Sequence, residues 1–338
     1  MSEVSKDDKV PAIQAENVAA APAKKGQLKR FWCLYLLAFL AVATVIVVPC
    51  VILIAVPKMA QKKVNAAELS IDGIAVTNTQ TNSLNMAINA TIKSSGSIHA
   101  KVDSFIGTLS LLNVEPPIDF ATIHFPKTDA ASAQIVNVSQ EIQIAGQGAF
   151  GTFNKYLLSS ENVDVRVKGD TYIHVPGISH AYPVTFEKIV TFSGLNGFKG
   201  LSISDPQINL TRKNNFQGTI HIPNPSLLTL EVGNATFANF FNGSVIGNTT
   251  IDNLILYPGG NQFSAQAEIS VVPVLKALLQ EPYCENGILP IQLSGTSVIN
   301  NGQSLPYFAN ALGAQNQTLQ LNIGQAAKNN GFNYTCPS

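Results

Sequence analysis

The sequence predicts a mainly β protein: an N-terminal single transmembrane helix followed by two tandem antiparallel β-sandwich domains, each with a short helix. Three observations carry this expectation. An uncharged apolar run stands near the N-terminus, the region beyond it alternates apolar and polar residues, and that region repeats itself weakly with a period of about 130 residues.

The apolar run FWCLYLLAFLAVATVIVVPCVILIAV extends from Phe31 to Val56, 26 residues without a charge. At about 1.5 Å per residue it reaches ~39 Å, ample for a hydrocarbon core of about 30 Å. A cleaved signal peptide has an apolar region of roughly 7 to 15 residues, and no small-residue cleavage site follows this run. Trp32 and Tyr35 stand near one end as interfacial anchors, and a lone membrane helix tolerates Pro49.

Residues 1–30 read as a disordered cytoplasmic tail, poor in aromatic and branched side chains, with six basic residues against four acidic ones. Its last stretch, KKGQLKR from Lys24 to Arg30, reads as a topology determinant that could also meet anionic head groups. Lys58, Lys62 and Lys63 follow the helix, so the positive-inside margin is four to three for a cytoplasmic N-terminus.

The remaining composition bounds the function. Of 338 residues 46% are hydrophobic and 12% charged, and 21 basic residues balance 21 acidic ones, which gives no electrostatic footprint for nucleic acid. Alternation is clear at Val163, Val165 and Val167, at Leu228, Leu230 and Val232, and at Phe263, Ala265, Ala267 and Ile269. Asn242-Gly243 is a type I′ hairpin signal, and Pro258-Gly259-Gly260-Asn261 marks a further turn.

The repeat lays LSIDGIAV at Leu69 on LSISDPQI at Leu201, and TIKSSGSIHAKV at Thr91 on HIPNPSLLTLEV at His221. VDVRVKGDTYI at Val163 matches LPIQLSGTSVI at Leu289. The implied organisation is a tail at 1–30, a transmembrane helix at 31–56, a first β domain at 64–198 and a second at 199–338. GTFNKYLLSS and VLKALLQ are the helical candidates of the two copies.

Eight N-glycosylation triplets lie beyond the helix, at Asn89, Asn137, Asn209, Asn234, Asn242, Asn248, Asn316 and Asn333, which suits a lumenal or extracellular segment. Cys33 and Cys50 fall in the apolar run. Cys284 and Cys336 remain, and an even pair in an oxidising compartment forms one bridge, the alternative being two buried thiols.

Catalytic signals are sparse. Gly146-Gln-Gly148-Ala-Phe-Gly151 spells a dinucleotide fingerprint, but the second copy has no glycines in the corresponding slot and the parallel βαβ context is missing. His99, His124, His174, His180 and His221 are scattered, and Asp164, Asp170, Glu187 and Asp205 show no pairing at motif level. No enzyme, cofactor or metal site is expected.

In the second copy, FQGTIHIPNPSLLTLEVGNATFANFFNGSVIGNTTIDNLILYPGGNQFSAQAEISV resembles the late embryogenesis abundant type-2 (LEA-2) domain, in the form found in fungal single-pass membrane proteins. The interrupted strand at Asn224-Pro225, the hairpin after it and the IGNTTIDNLILYPGGN segment carry the resemblance. The first copy departs from it, with Ser94-Ser95-Gly96 where the second has Asn224-Pro225-Ser226.

The resemblance implies a compact sandwich on the lumenal side of a membrane, the vacuole favoured over the plasma membrane or endoplasmic reticulum, and lipid binding or transfer. Physically, Asn224-Pro225 is expected to act as a kink: because proline removes a ladder donor and fixes φ, this strand must be an edge or must bend there, opening one end of the sheet. The expected partners are membrane lipids, as anchor and as ligand, with protein partners on either side of the membrane as a scaffold alternative and a lumenal hydrolase as a minor one.

Overall fold

The apolar run is helical. In the computed structural model, which describes residues 31–94, 100–130, 133–144, 146–209 and 211–336, α1 spans Trp32–Cys50 and a π-helical stretch covers Val51–Ala55. Pro49 lies inside α1, and the wider turns follow directly after it, where the ladder has lost a donor. The helix is long and apolar enough to cross a membrane, and none of α1 is buried. The tail with its basic cluster, His99, and Ser95-Gly96 lie outside the described residues.

A second unit runs from Val56. It opens with α2 (Val56–Ala66) and is mainly strand. The larger of its two sheets has eleven strands. Three come from early in the chain: β1 (Glu68–Thr77), β2 (Ser83–Lys93) and β7 (Ala133–Gln143). The others come from later: β10 (Ser202–Ile208), β11 (Phe216–Asn224), β12 (Leu228–Phe241), β13 (Ser244–Leu256), β14 (Gly259–Ile269), β15 (Ile288–Asn300), β16 (Gln303–Ser304) and β17 (Gln317–Asn322). The main path is β10-β11-β14-β13-β12-β1-β2-β7, with β15 branching from β12 to pair β16 and β17.

The smaller, six-stranded sheet is formed by β3 (Ala100–Val102), β4 (Phe105–Leu111), β5 (Ile118–Phe125), β6 (Thr128–Ala130), β8 (Asn162–His174) and β9 (Ala181–Ser193). Its order is β5-β4-β8-β3-β6, with β9 on β8. The mainly β expectation therefore holds, with helices few. One pairing departs from the antiparallel reading: Ile74, Ala75 and Val76 of β1 run parallel to Leu228, Thr229 and Leu230 of β12.

Period-two alternation explains which side chains go inside. Val163, Val165 and Val167 of β8 are buried while Asp164, Arg166 and Lys168 between them face outward or partly so, and Leu228, Leu230 and Val232 do the same in β12. Asn242 (φ 47°) and Gly243 (φ 76°) adopt the two left-handed conformations of a type I′ turn between Phe241 and Ser244, as that dipeptide predicts.

α3 (Gln147–Ser159) covers all of the first helical candidate but its last residue, Ser160, and α4 (Val271–Ala277) begins three residues before the second one and ends inside it. Three more were not anticipated: α5 (Tyr283–Asn286), α6 (Pro306–Gly313) and α7 (Gly324–Asn329). Phe150 of α3 meets Tyr307 of α6 edge to face at 5.0 Å, so the early and late strands share one apolar core.

A polar knot fixes the β1–β2 turn to the β15–β16 turn. Glu231 accepts from the Asn78 amide (2.7 Å) and from Asn300 Nδ2 (2.7 Å), Thr81 Oγ1 donates to Ser304 O (2.8 Å), and Tyr307 OH donates to Gln80 O (2.8 Å). Burial pushes the Tyr307 phenol well above its ordinary value.

Of the two expectations for the interrupted strand, the bend is corrected and the edge stands: Asn224 ends β11 and Pro225 starts the connection to β12, which is separated from β11 in the sheet by β14 and β13. Pro223 pairs Gly260 and lies past the last β10 pair, His221 with Ser202, so β11 has lost its β10 neighbour where the prolines occur. Asn224, 2% exposed, organises the turn: Oδ1 accepts from the Ser226 amide (2.9 Å) and hydroxyl (2.6 Å), and Nδ2 donates to Leu228 O (2.7 Å).

Candidate functional site

An apolar cavity of about 230 Å³ opens beneath α2, at the end of the sandwich built by the early strands. The sequence of α2, VPKMAQKKVNA, places Val56, Met59, Ala60, Lys63 and Val64 along the cavity, an i, i+3, i+4, i+7, i+8 stripe, while Lys58 and Lys62 are exposed. Leu69 of β1, Ile92 of β2 and Val136 of β7 form one wall, and Val102 of β3 and Ile173 of β8 belong to the other.

Aromatic rings line the second wall. Phe105 stacks on Phe125 at 4.9 Å, and Phe186 lies 5.5 Å from Phe105. Their neighbours are glycines for a steric reason: a Cβ on Gly107 would stand 2.6 Å from the Phe125 ring, and one on Gly169 would stand 2.7 Å from the Phe105 ring. A side chain at Gly107 would displace the Phe125 ring, and one at Gly169 would also meet the Ile106 carbonyl oxygen.

Polar atoms at the cavity are few. Thr171 lines it, but its hydroxyl donates to Asp103 O at 2.8 Å, leaving its methyl for the lumen. Lys63, Ser94, Thr128 and Gln134 supply the remaining polar lining, Lys63 being exposed. A second, smaller apolar cavity of about 70 Å³ lies between Ile88, Phe120, Phe153 and Val167.

α2 is fastened to the edge strand β9 by side chains. Gln61 Nε2 donates to Thr185 O at 2.8 Å while Gln61 Oε1 accepts from the Thr185 amide at 2.9 Å, so one side-chain amide pairs with the strand as another strand would. Lys188 of β9 donates to the α2 carbonyl of Asn65 (2.9 Å) and to Ala67 O. Partial burial pulls the Lys188 ammonium below its ordinary range. Ala60 and Val64 pack on a small apolar cluster of Ala100, Ile173 and Val184.

Beside this wall Asp103 accepts from His174 Nε2 (2.7 Å) and Lys127 Nζ (3.1 Å). The hydrogen bond from His174, then that from Lys127, lowers the Asp103 carboxyl below its ordinary 3.8.

Residues 118–239 match a family model described as "Protein of unknown function (DUF3712)". That stretch runs from β5 almost to the end of β12 and so includes Phe125, Val136, Ile173 and Phe186 of the cavity. No curated protein matches the chain. Among solved structures, the chain is similar to a protein from Archaeoglobus fulgidus, at 8% identity and a TM-score of 0.23, over 38% of this chain and 94% of that one. It is also similar to a late embryogenesis abundant (LEA) protein, at 14% identity and a TM-score of 0.24, over 41% of this chain and 80% of that one. The BSP domain of a biofilm-associated protein aligns at 9% identity and a TM-score of 0.17, over 76% of this chain and 52% of that one.

The residues singled out from sequence fall elsewhere. Asn224 and Pro225 line neither of these two cavities. Cys284 and Cys336 are bonded to each other, and Cys33 and Cys50 are free. All eight sequon asparagines are exposed, and Asn89 of β2 stands directly opposite Asn137 of β7. Gly148 and Gly151 are inside α3, with Gly146 just before it. His124 is in β5, His180 rests edge-on against Tyr182 at 5.0 Å, and His221 Nε2 bonds Ser204 Oγ at 2.9 Å. Among the described residues no three His, Cys, Asp or Glu side chains gather as a metal site.

What sequence reasoning missed is the roof. The segment between the apolar run and the first β domain, 57–63, received no assignment, yet it forms most of α2. The helical stripe of Val56, Met59, Ala60 and Val64 was the available signal.

Proposed function

We propose that this is a membrane-anchored, non-enzymatic glycoprotein that binds or transfers lipid through the cavity beneath α2. The observation that carries the reading is the cavity itself. Its lining is almost entirely apolar, and its about 230 Å³ exceeds the roughly 150 Å³ of a dry cavity that takes up benzene. That space takes part of a single apolar chain, the rest of the lipid staying outside. Support for the membrane anchor comes from α1, and α2 follows α1 along the chain after only five residues.

On the same reading the protein is a type II single-pass protein with a cytoplasmic tail, and residues 64–198 and 199–338 are tandem LEA-2-like domains, the fungal vacuole being the favoured site. The early strands carry the ligand while the late strands buttress them, because both cavities draw chiefly on the early strands. The test uses the full chain, purified in mild detergent and weighed by native mass spectrometry. A one-to-one adduct with the mass of a lipid, lost when Ala90→Phe fills the cavity, is expected. A wild-type protein that stays bare after incubation with phospholipid vesicles overturns the reading.

A further inference from the structure

The geometry points to α2 as a gate over the cavity, with Gln61 as its latch and the single acyl chain of a membrane lipid as what passes. This rests on the lipid reading of the same site. α2 makes no ladder with either sheet; its ties to β9 include one side-chain amide and one lysine, and apolar contacts add to them. Gln61 satisfies both main-chain groups of Thr185, at 2.8 and 2.9 Å, on the free edge of β9. Lys188 holds the carbonyls of Asn65 and Ala67 at the opposite end of the helix from Val56.

The fastenings are therefore unevenly placed. Val56 and Met59 line the cavity at the N-terminal end of α2, and the polar ties to β9 hold the helix from Gln61 onward. Because these ties begin at Gln61, the N-terminal half of α2, which continues the π-helical stretch before it, can move off the cavity without breaking a strand pair. Releasing the latch costs two hydrogen bonds whose β9 partners then face water at an edge, where they can be resolvated. That makes the step reversible.

The test uses the full chain in phosphatidylcholine vesicles with Cys33 and Cys50 replaced by serine. Val136→Cys puts a thiol in the cavity wall, where the native side chain is 6% exposed, and its alkylation by N-ethylmaleimide reads how often the cavity opens. Gln61→Ala is expected to speed that alkylation on the order of tenfold, as loss of two hydrogen bonds implies. Release of bound cis-parinaric acid to acceptor vesicles should accelerate in step.

A control thiol at Ala265, 1% exposed among the late strands, should stay slow. An unchanged rate at Val136→Cys overturns the gate, as does equal acceleration at Ala265→Cys, which would mean general loosening. Faster alkylation in a protein that never takes up the fatty acid sinks the lipid reading and leaves the gate. Fatty acid bound and released at one rate with or without Gln61 does the reverse.

Discussion

The side chain whose chemistry best defines the cavity's rim is Asp103. Val102 before it lines the cavity and Asp103 itself meets His174 and Lys127, so one backbone step separates an apolar lumen from an ion pair. Because its folded carboxyl titrates below the ordinary 3.8, the stability it contributes is present above that value and is lost as pH falls through the folded one. Thermal unfolding of the wild type and Asp103→Asn should therefore differ at neutral pH and converge as the pH is lowered from about 5 to 2. A difference that stays constant over this range would mean the charge is irrelevant to the wall. The partners are partly exposed, so the effect is small. None of this was legible in sequence, where His174 and Asp103 are 71 residues apart. Asn242-Gly243 was legible because a type I′ turn is encoded in two adjacent residues, whereas the role of Asn224 depends on where β12 begins.

At the scale of elements, local pattern succeeded where one periodicity dominates and failed where an element is short. The valines of β8 and the apolar run announce themselves. α2 did not, because its eleven residues sit between two stronger signals and its lysines satisfied a topology argument already. α5 and α7 are four and six residues long, too short to show a helical stripe; tertiary packing decides them. The Cys284–Cys336 bridge ties α5 to the segment after α7 across 52 residues. In the same region Tyr334 closes over Gly287 and Gly324, where a Cβ on Gly324 would meet the Tyr334 hydroxyl and Gly287 Cα. Closing a loop of that length in the unfolded chain is worth at most about 4 kcal/mol. Replacing both cysteines with serine is expected to lower unfolding free energy by about 2 to 4 kcal/mol, read from the denaturant midpoint. No change would mean this end is already held by its packing.

At the scale of the whole molecule, strand pairing was harder to read than strand position. A weak repeat tells which segments resemble each other, not that β1 will add in parallel to β12 and continue the larger sheet. That junction, the knot around Glu231 and Asn300, and the Phe150–Tyr307 contact all join segments more than 60 residues apart. Single-sequence periodicity has no term for such pairings.

The distribution of sequons carries the last consequence. Every sequon asparagine is exposed; seven lie in the larger sheet or in a segment adjoining its strands, Asn333 follows α7, and none falls in β3–β6, β8 or β9. Secretion through a eukaryotic pathway should therefore glycosylate the large sheet and leave the outer face of the smaller one bare. Asn89 and Asn137 face the same solvent as direct cross-strand neighbours, where side chains stand only about 5 Å apart. Two full glycans cannot leave such a pair independently, so occupancy at one should suppress the other, and Asn89→Gln should raise occupancy at Asn137. Peptide mapping after enzymatic deglycosylation reads each site separately. Modified asparagines would place Val56 onward in the lumen and the tail in the cytosol. Eight bare sites on secretory-pathway protein would reverse that orientation and remove the glycoprotein from the proposal.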